Sequence, residues 1–157
     1  MAVHHMAIKM FDKGVAAYVR NKHTKSIQLF SRALKYDPKF ELGYLSRGAA
    51  NLKLGNVKKA MNDFNHVIKL NPNSARAYHF RGLTFERRND IARAYQDFDR
   101  ALEIDPDYAA AYHSRNSLLS KEGHTDFSIE ELDIINHLMA MRVSRFDEDE
   151  QSGDLAA

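Results

Sequence analysis

The 157-residue sequence contains no cysteine, only three prolines and only seven glycines. Lack of cysteine excludes disulfide frameworks, thiolate zinc sites, redox CxxC pairs and cysteine nucleophiles. Long apolar runs are missing too, so no membrane-spanning segment is expected. The first residues, Met1 to Met6, lack a positive region followed by an apolar stretch, so no secretory leader is expected and the chain reads as soluble and cytoplasmic. A strong net charge is also absent, the formal value being +2. The distribution is nevertheless lopsided: residues 1–125 carry 21 Lys/Arg against 12 Asp/Glu, and residues 126–157 carry 2 against 9. The basic excess concentrates in residues 7–40, with 8 cations and 2 anions. What is present, 44% hydrophobic and 28% charged residues, suffices for a core in about one domain.

The few prolines are placed with a period. Pro38, Pro72 and Pro106 stand 34 residues apart, which is the length of a known helical repeat. In rows starting at Ala7, Glu41, Ala75 and Ala109, other columns fall into line. Gly14, Gly48, Gly82 and Asn116 form one small column, and Ser26, Ala60, Ala94 and Ser128 another. Phe30, Phe64, Phe98 and Leu132 form a large one. Small residues facing large ones across a helix pair are what interdigitated packing requires. Asn21, Gly55, Asn89 and Gly123 tolerate a left-handed backbone, so that column ends one helix and turns the chain into the next.

Each row therefore reads as two antiparallel helices, over 7–20 and 24–36, 41–54 and 58–70, 75–88 and 92–104. Asp37-Pro38, Asn71-Pro72 and Asp105-Pro106 stop the second helix of each pair. Lys13, Arg47, Arg81 and Arg115 share a column, and Leu29, Asp63, Asp97 and Glu131 share another. Wherever the first column holds Arg, the second is acidic, which predicts structural ion pairs Arg47–Asp63, Arg81–Asp97 and Arg115–Glu131.

On these residues the chain resembles tetratricopeptide repeat (TPR) proteins. Gly48, Ala60, Phe64 and Pro72 match the family pattern, as do Gly82, Ala94, Phe98, Ala101, Leu102 and Pro106. The resemblance implies an all-α, right-handed α-solenoid of antiparallel helix pairs, with three TPR units and a degenerate fourth, capping pair. The expected organisation is an N-terminal extension over 1–6, repeats over 7–40, 41–74 and 75–108, a degenerate repeat over 109–145, and an acidic, disordered tail over 146–157. Ala140 stands where a fourth proline would fall, so a long capping helix is expected over 126–145. His4-His5 is placed in the disordered extension rather than in a metal site.

No nucleophile motif, phosphate-cradling glycine loop or metal-ligand spacing appears, so no enzyme activity, cofactor or metal is expected. His79 and His113 lie 34 apart and would stack on neighbouring repeats; groove-lining polar contacts are favoured over a shared metal. The resemblance implies a concave groove formed by the first helix of each pair. Its candidate residues are Ile8, Phe11, Val15 and Tyr18 in row one, and Leu42, Leu45 and Leu52 in row two. Row three offers Arg76, His79, Phe80 and Arg87, and row four offers His113. Phe11, Leu45 and Phe80 are expected to form an exposed apolar strip.

In TPR proteins that grip the terminal carboxylate of heat-shock chaperones, Lys, Asn and Arg stand at set places. Those places here hold Phe11, Val15, Ser46, Arg76 and Phe80, of which only Arg76 fits. The expected function is a protein-binding adaptor whose partner presents apolar anchors, as an amphipathic helix or extended peptide. Self-association through the apolar first helix is the alternative. Nucleic-acid binding through Lys22, Lys25, Arg32, Lys35 and Lys39 is disfavoured, since these charges fall mainly on the second helix and read as a solvated outer face.

Overall fold

The computed structural model describes residues 1–121. The chain divides into two compact units, Met1–Arg115 and Asn116–Ala157. Seven helices are found among the described residues: α1 (Ala2–Val19), α2 (His23–Tyr36), α3 (Glu41–Lys53), α4 (Val57–Leu70), α5 (Ala75–Arg87), α6 (Ile91–Ile104) and α7 (Ala109–Lys121). The expected capping helix over 126–145, Glu131 and the acidic tail lie outside them. Helix α1 begins at Ala2, not near Ala7, so the segment set apart as an extension is helical. Nothing in Ala2 to Met6 breaks a helix, and His4 reaches across to Asp37 at 3.3 Å.

The turn inside each pair is the same device used three times. Asn21, Gly55 and Asn89 have φ of 57°, 78° and 59°. The amide after each donates back to Ala17, Asn51 and Phe85, while their own amides donate to Tyr18, Leu52 and Glu86. This Schellman arrangement satisfies carbonyls that would otherwise be left open at the helix end. Between pairs, Asp37, Asn71 and Asp105 adopt an extended backbone ahead of proline. Their side-chain oxygens accept the amides of Lys39, Asn73 and Asp107, closing an Asx turn each time.

Within a pair the two helices meet ring against glycine. Phe30, Phe64 and Phe98 are fully buried. A Cβ on Gly14, Gly48 or Gly82 would lie 2.5, 2.5 or 2.6 Å from the facing ring. Between pairs the core continues: Leu45 and Leu52 of α3, Ala60, Phe64 and Val67 of α4 and Ala77 of α5 form one buried cluster.

Two arginines hold three helices each. Arg47 donates through Nε and Nη2 to the Asp63 carboxylate at 2.9 and 2.7 Å, and through Nη1 to Ser31 Oγ at 3.1 Å. Arg81 donates to Asp97 at 2.7 and 2.8 Å and to Asn65 Oδ1 at 3.0 Å. The fork thus grips the second helix of its own pair and touches that of the pair before. Hydrogen bonding to the buried carboxylates raises both guanidinium pKa values against the opposing effect of burial. Arg115 donates to Asp99, which occupies the Ser31 and Asn65 column. The backward link from each arginine was not foreseen in the sequence.

Gly48→Ala should lower stability by about 1–2 kcal/mol in chemical denaturation, because the cost of overpacking against a fixed ring exceeds the helix-propensity gain. Gly43→Ala should cost less, since its Cβ meets the movable end of Leu34. Arg47→Met should cost about 2–4 kcal/mol by stranding the Asp63 carboxylate, and adding Asp63→Leu should restore most of it. Equal losses in the single and double variants would rule out the ion pair as the cause.

Candidate peptide-binding groove

The first helices form a continuous inner row in which α3 touches both α1 and α5. The second helices α2, α4 and α6 do not touch one another, each pair being separated by an intervening first helix. Helices that converge on one side and spread on the other curve the row, with the first helices on its concave side. In α1 the residues facing α2 are Ala7, Met10, Gly14 and Ala17, all buried. The opposite, inner face is left to Ile8, Val15 and Val19.

The sequence candidates divide into three groups. Ile8, Val15 and Leu42 are apolar and exposed, at 39%, 39% and 43%. Arg76, Arg87 and His113 are exposed as well. Arg87 is fixed by donating to the Leu52 carbonyl at 3.2 Å. Phe11, Tyr18 and Phe80 are half-buried. Phe11 packs between Phe30 and Phe40, with ring centroids at 5.5 and 5.0 Å, and Phe80 stacks on Phe64 at 5.5 Å.

Leu45, Leu52 and His79 are buried, at 5%, 7% and 6% exposure, so the expected exposed strip of Phe11, Leu45 and Phe80 is not present as such. The reason is the adjoining repeat: Ala77 of α5 closes over the cluster that contains Leu45 and Leu52. The exposed apolar surface instead runs through Ile8, Val15 and Leu42. Val19 extends it and was not picked out from the sequence, although it shares the 34-residue column of Lys53 and Arg87.

His79 does not line a groove beside His113. Its Nδ1 lies 3.1 Å from the Tyr108 hydroxyl and its Nε2 lies 2.9 Å from Ser114 Oγ, so both ring nitrogens are engaged. The Ser114–His79 spacing is that of a nucleophile and base. Ser114, however, lies within α7, past its first turn, where its own amide is committed to the helix. The trio instead joins α5 to the start of α7. Burial lowers the imidazole pKa below its usual 6.5. Burial also raises that of the Tyr108 phenol, with Arg76 opposing.

Stacked antiparallel helix pairs with an open inner face define an all-α helical-repeat solenoid. The sequence pattern of the tetratricopeptide repeat matches residues 11–65 and 45–109, and the chain belongs to that family. The fold is similar to the Arabidopsis OM64 TPR domain, with a TM-score of 0.72 and 25% identity over 76% of this chain and 98% of that one. It is also similar to the first TPR domain of human RPAP3, with a TM-score of 0.71 and 23% identity over 78% and 98% of the two chains. The first TPR of Spaghetti (RPAP3) bound to the HSP90 peptide SRMEEVD gives a TM-score of 0.70 and 22% identity, covering 76% and 94%. No curated protein is a significant match by sequence. Among the described residues, no helix is long and apolar enough to cross a membrane.

Because the unfolded chain takes up a proton at His79 more readily than the folded one, its contribution to stability is present above about pH 6.5 and is lost as the pH falls. Denaturation midpoints measured from about pH 8 down to about pH 5 should show this loss in the wild type. His79→Gln should lack that increment.

Proposed function

We propose that the chain is a non-enzymatic adaptor whose inner face binds a segment of another protein. The observation that carries this reading is the run of exposed aliphatic side chains Ile8, Val15 and Leu42 on the inner row, with Arg76 in the column of Ile8 and Leu42, and Lys53 and Arg87 in the column of Val19. A matching partner presents two or three apolar side chains at helical or alternating spacing, with carboxylates to one side. Phe11 and Phe80 stiffen the floor by packing inward, and the buried leucines beneath hold α3 and α5 in register.

The structural similarity to a TPR bound to a chaperone peptide supports a peptide-binding role of this general kind. A chaperone C-terminal carboxylate is not the proposed ligand. Phe11, Val15, Ser46 and Phe80 supply neither the cations nor the amide that such a clamp uses, and Arg76 alone holds a terminal carboxylate weakly.

Selection of displayed random peptides on the full chain, followed by anisotropy titration of a selected peptide, tests this reading. Enriched peptides should pair apolar residues with an acidic flank. Ile8→Glu and Leu42→Glu should each weaken binding by about tenfold or more, as expected for losing one buried aliphatic contact. Circular dichroism should be unchanged, both positions being exposed. Unchanged affinity in the Ile8→Glu/Leu42→Glu double variant would falsify the groove as the binding site.

A further inference from the structure

The outer layer carries a second chemistry. Lys25, Arg32 and Lys35 are exposed on α2, and Lys58, Lys59 and Lys69 are exposed on α4. Lys25 and Lys59 share one 34-residue column and Lys35 and Lys69 another, so the stripe on one helix recurs on the next. Between the cations stand amides in register, Gln28 on α2 and Asn62 on α4, both exposed. Helix α2 contains no carboxylate at all, and the one on α4, Asp63, is buried against Arg47. Asp37, just past the end of α2, is engaged by His4. None of the six cations forms an ion pair among the described residues.

Helix α6 supplies an internal contrast. Its cations in the Lys25 and Arg32 columns are neutralised locally, Arg93 by Asp90 at 2.6 Å and Arg100 at 2.9 Å by Glu103, the residue that stands in the Lys35 and Lys69 column. Among the outer helices, the cations without an ion pair thus lie on α2 and α4, so the stripe extends past the first repeat, the part of the chain through which the sequence reading disfavours nucleic-acid binding.

We propose that this outer face docks the phosphodiester backbone of a nucleic acid. Lysine, arginine and side-chain amides are the groups that contact phosphate and sugar without reading sequence. Protein interfaces, in contrast, deplete lysine and place aromatic or aliphatic residues at their centre. The large apolar side chains exposed on these helices, Tyr36 and Leu70, stand at their ends and not within the stripe. A membrane-seated face would need apolar side chains among its cations. The surface is separate from the groove, so it stands or falls independently of the peptide-binding reading.

Anisotropy of labelled duplex DNA and single-stranded RNA with the full chain tests the proposal. If four of the cations each neutralise a phosphate, affinity should fall by about 100-fold between about 50 and about 200 mM salt. Lys25→Gln/Arg32→Gln/Lys59→Gln/Lys69→Gln should weaken binding at least about tenfold at the lower salt and flatten the salt dependence. Arg93→Gln/Arg100→Gln and Ile8→Glu/Leu42→Glu should bind as the wild type does. Absence of binding, or binding indifferent to the four substitutions, overturns the proposal. So does binding to phosphatidylserine vesicles without binding to nucleic acid, which would assign the face to a membrane. Binding that emerges only once residues 146–157 are removed overturns it as well, by making the chain's own acidic end the occupant.

Discussion

The approach of a phenylalanine ring to a glycine sets the geometry on which the other contacts depend. With Phe30, Phe64 and Phe98 seated where a Cβ would be, the two helices of each pair come closer than any side chain on the glycine would allow. Dispersion across that contact falls off steeply with distance, so the spacing tolerates little variation. Once it is set, the lengths of the helices and the three-residue turns between them follow. The Schellman turns at Asn21, Gly55 and Asn89 close a gap that is narrow because no side chain props it open.

The arginine forks address a different problem, the attachment of one pair to the next. Apolar burial is nondirectional, and a stack of similar pairs could slide. A guanidinium that meets a carboxylate with two parallel bonds and a polar group of the preceding pair with a third fixes one register. That register brings the first helices into one continuous row and leaves the second helices apart. The same arrangement separates the aliphatic strip of Ile8, Val15 and Leu42 on the inner side from the unpaired cations of α2 and α4 on the outer one.

Much of this was legible in the sequence because packing repeats when the chain repeats. Apart from the start of α1, the proline, glycine and phenylalanine columns mark the helix pairs and their turns to within a residue or two, and the Arg–Asp columns name two ion pairs. A column, however, specifies position within a repeat and not what the neighbouring repeats lay over it. Phe11, Leu45, His79 and His113 share one column, yet Leu45 and His79 are buried while His113 is exposed. Exposure is set by the next helix along, which no single row contains. The helical start at Ala2 escaped notice for a related reason, as it precedes the periodic rows and rests on local propensity and one contact to Asp37. The Ser31, Asn65 and Asp99 partners were hidden because their letters differ while their role does not.

Those three partners differ in charge, and the difference bears on how the array responds to its solvent. The link from Arg47 back to the first pair ends on the neutral hydroxyl of Ser31, that from Arg81 on the neutral amide of Asn65, and that from Arg115 on the full charge of Asp99. The first pair also has Lys13 and Leu29 in place of an internal fork. The Asp99 carboxylate stands half in solvent, so dissolved salt screens that last link, while the links to Ser31 and Asn65 end on groups that carry no charge. Ionic strength therefore acts unevenly along the array, weakening the backward link of Arg115 and sparing those of Arg47 and Arg81.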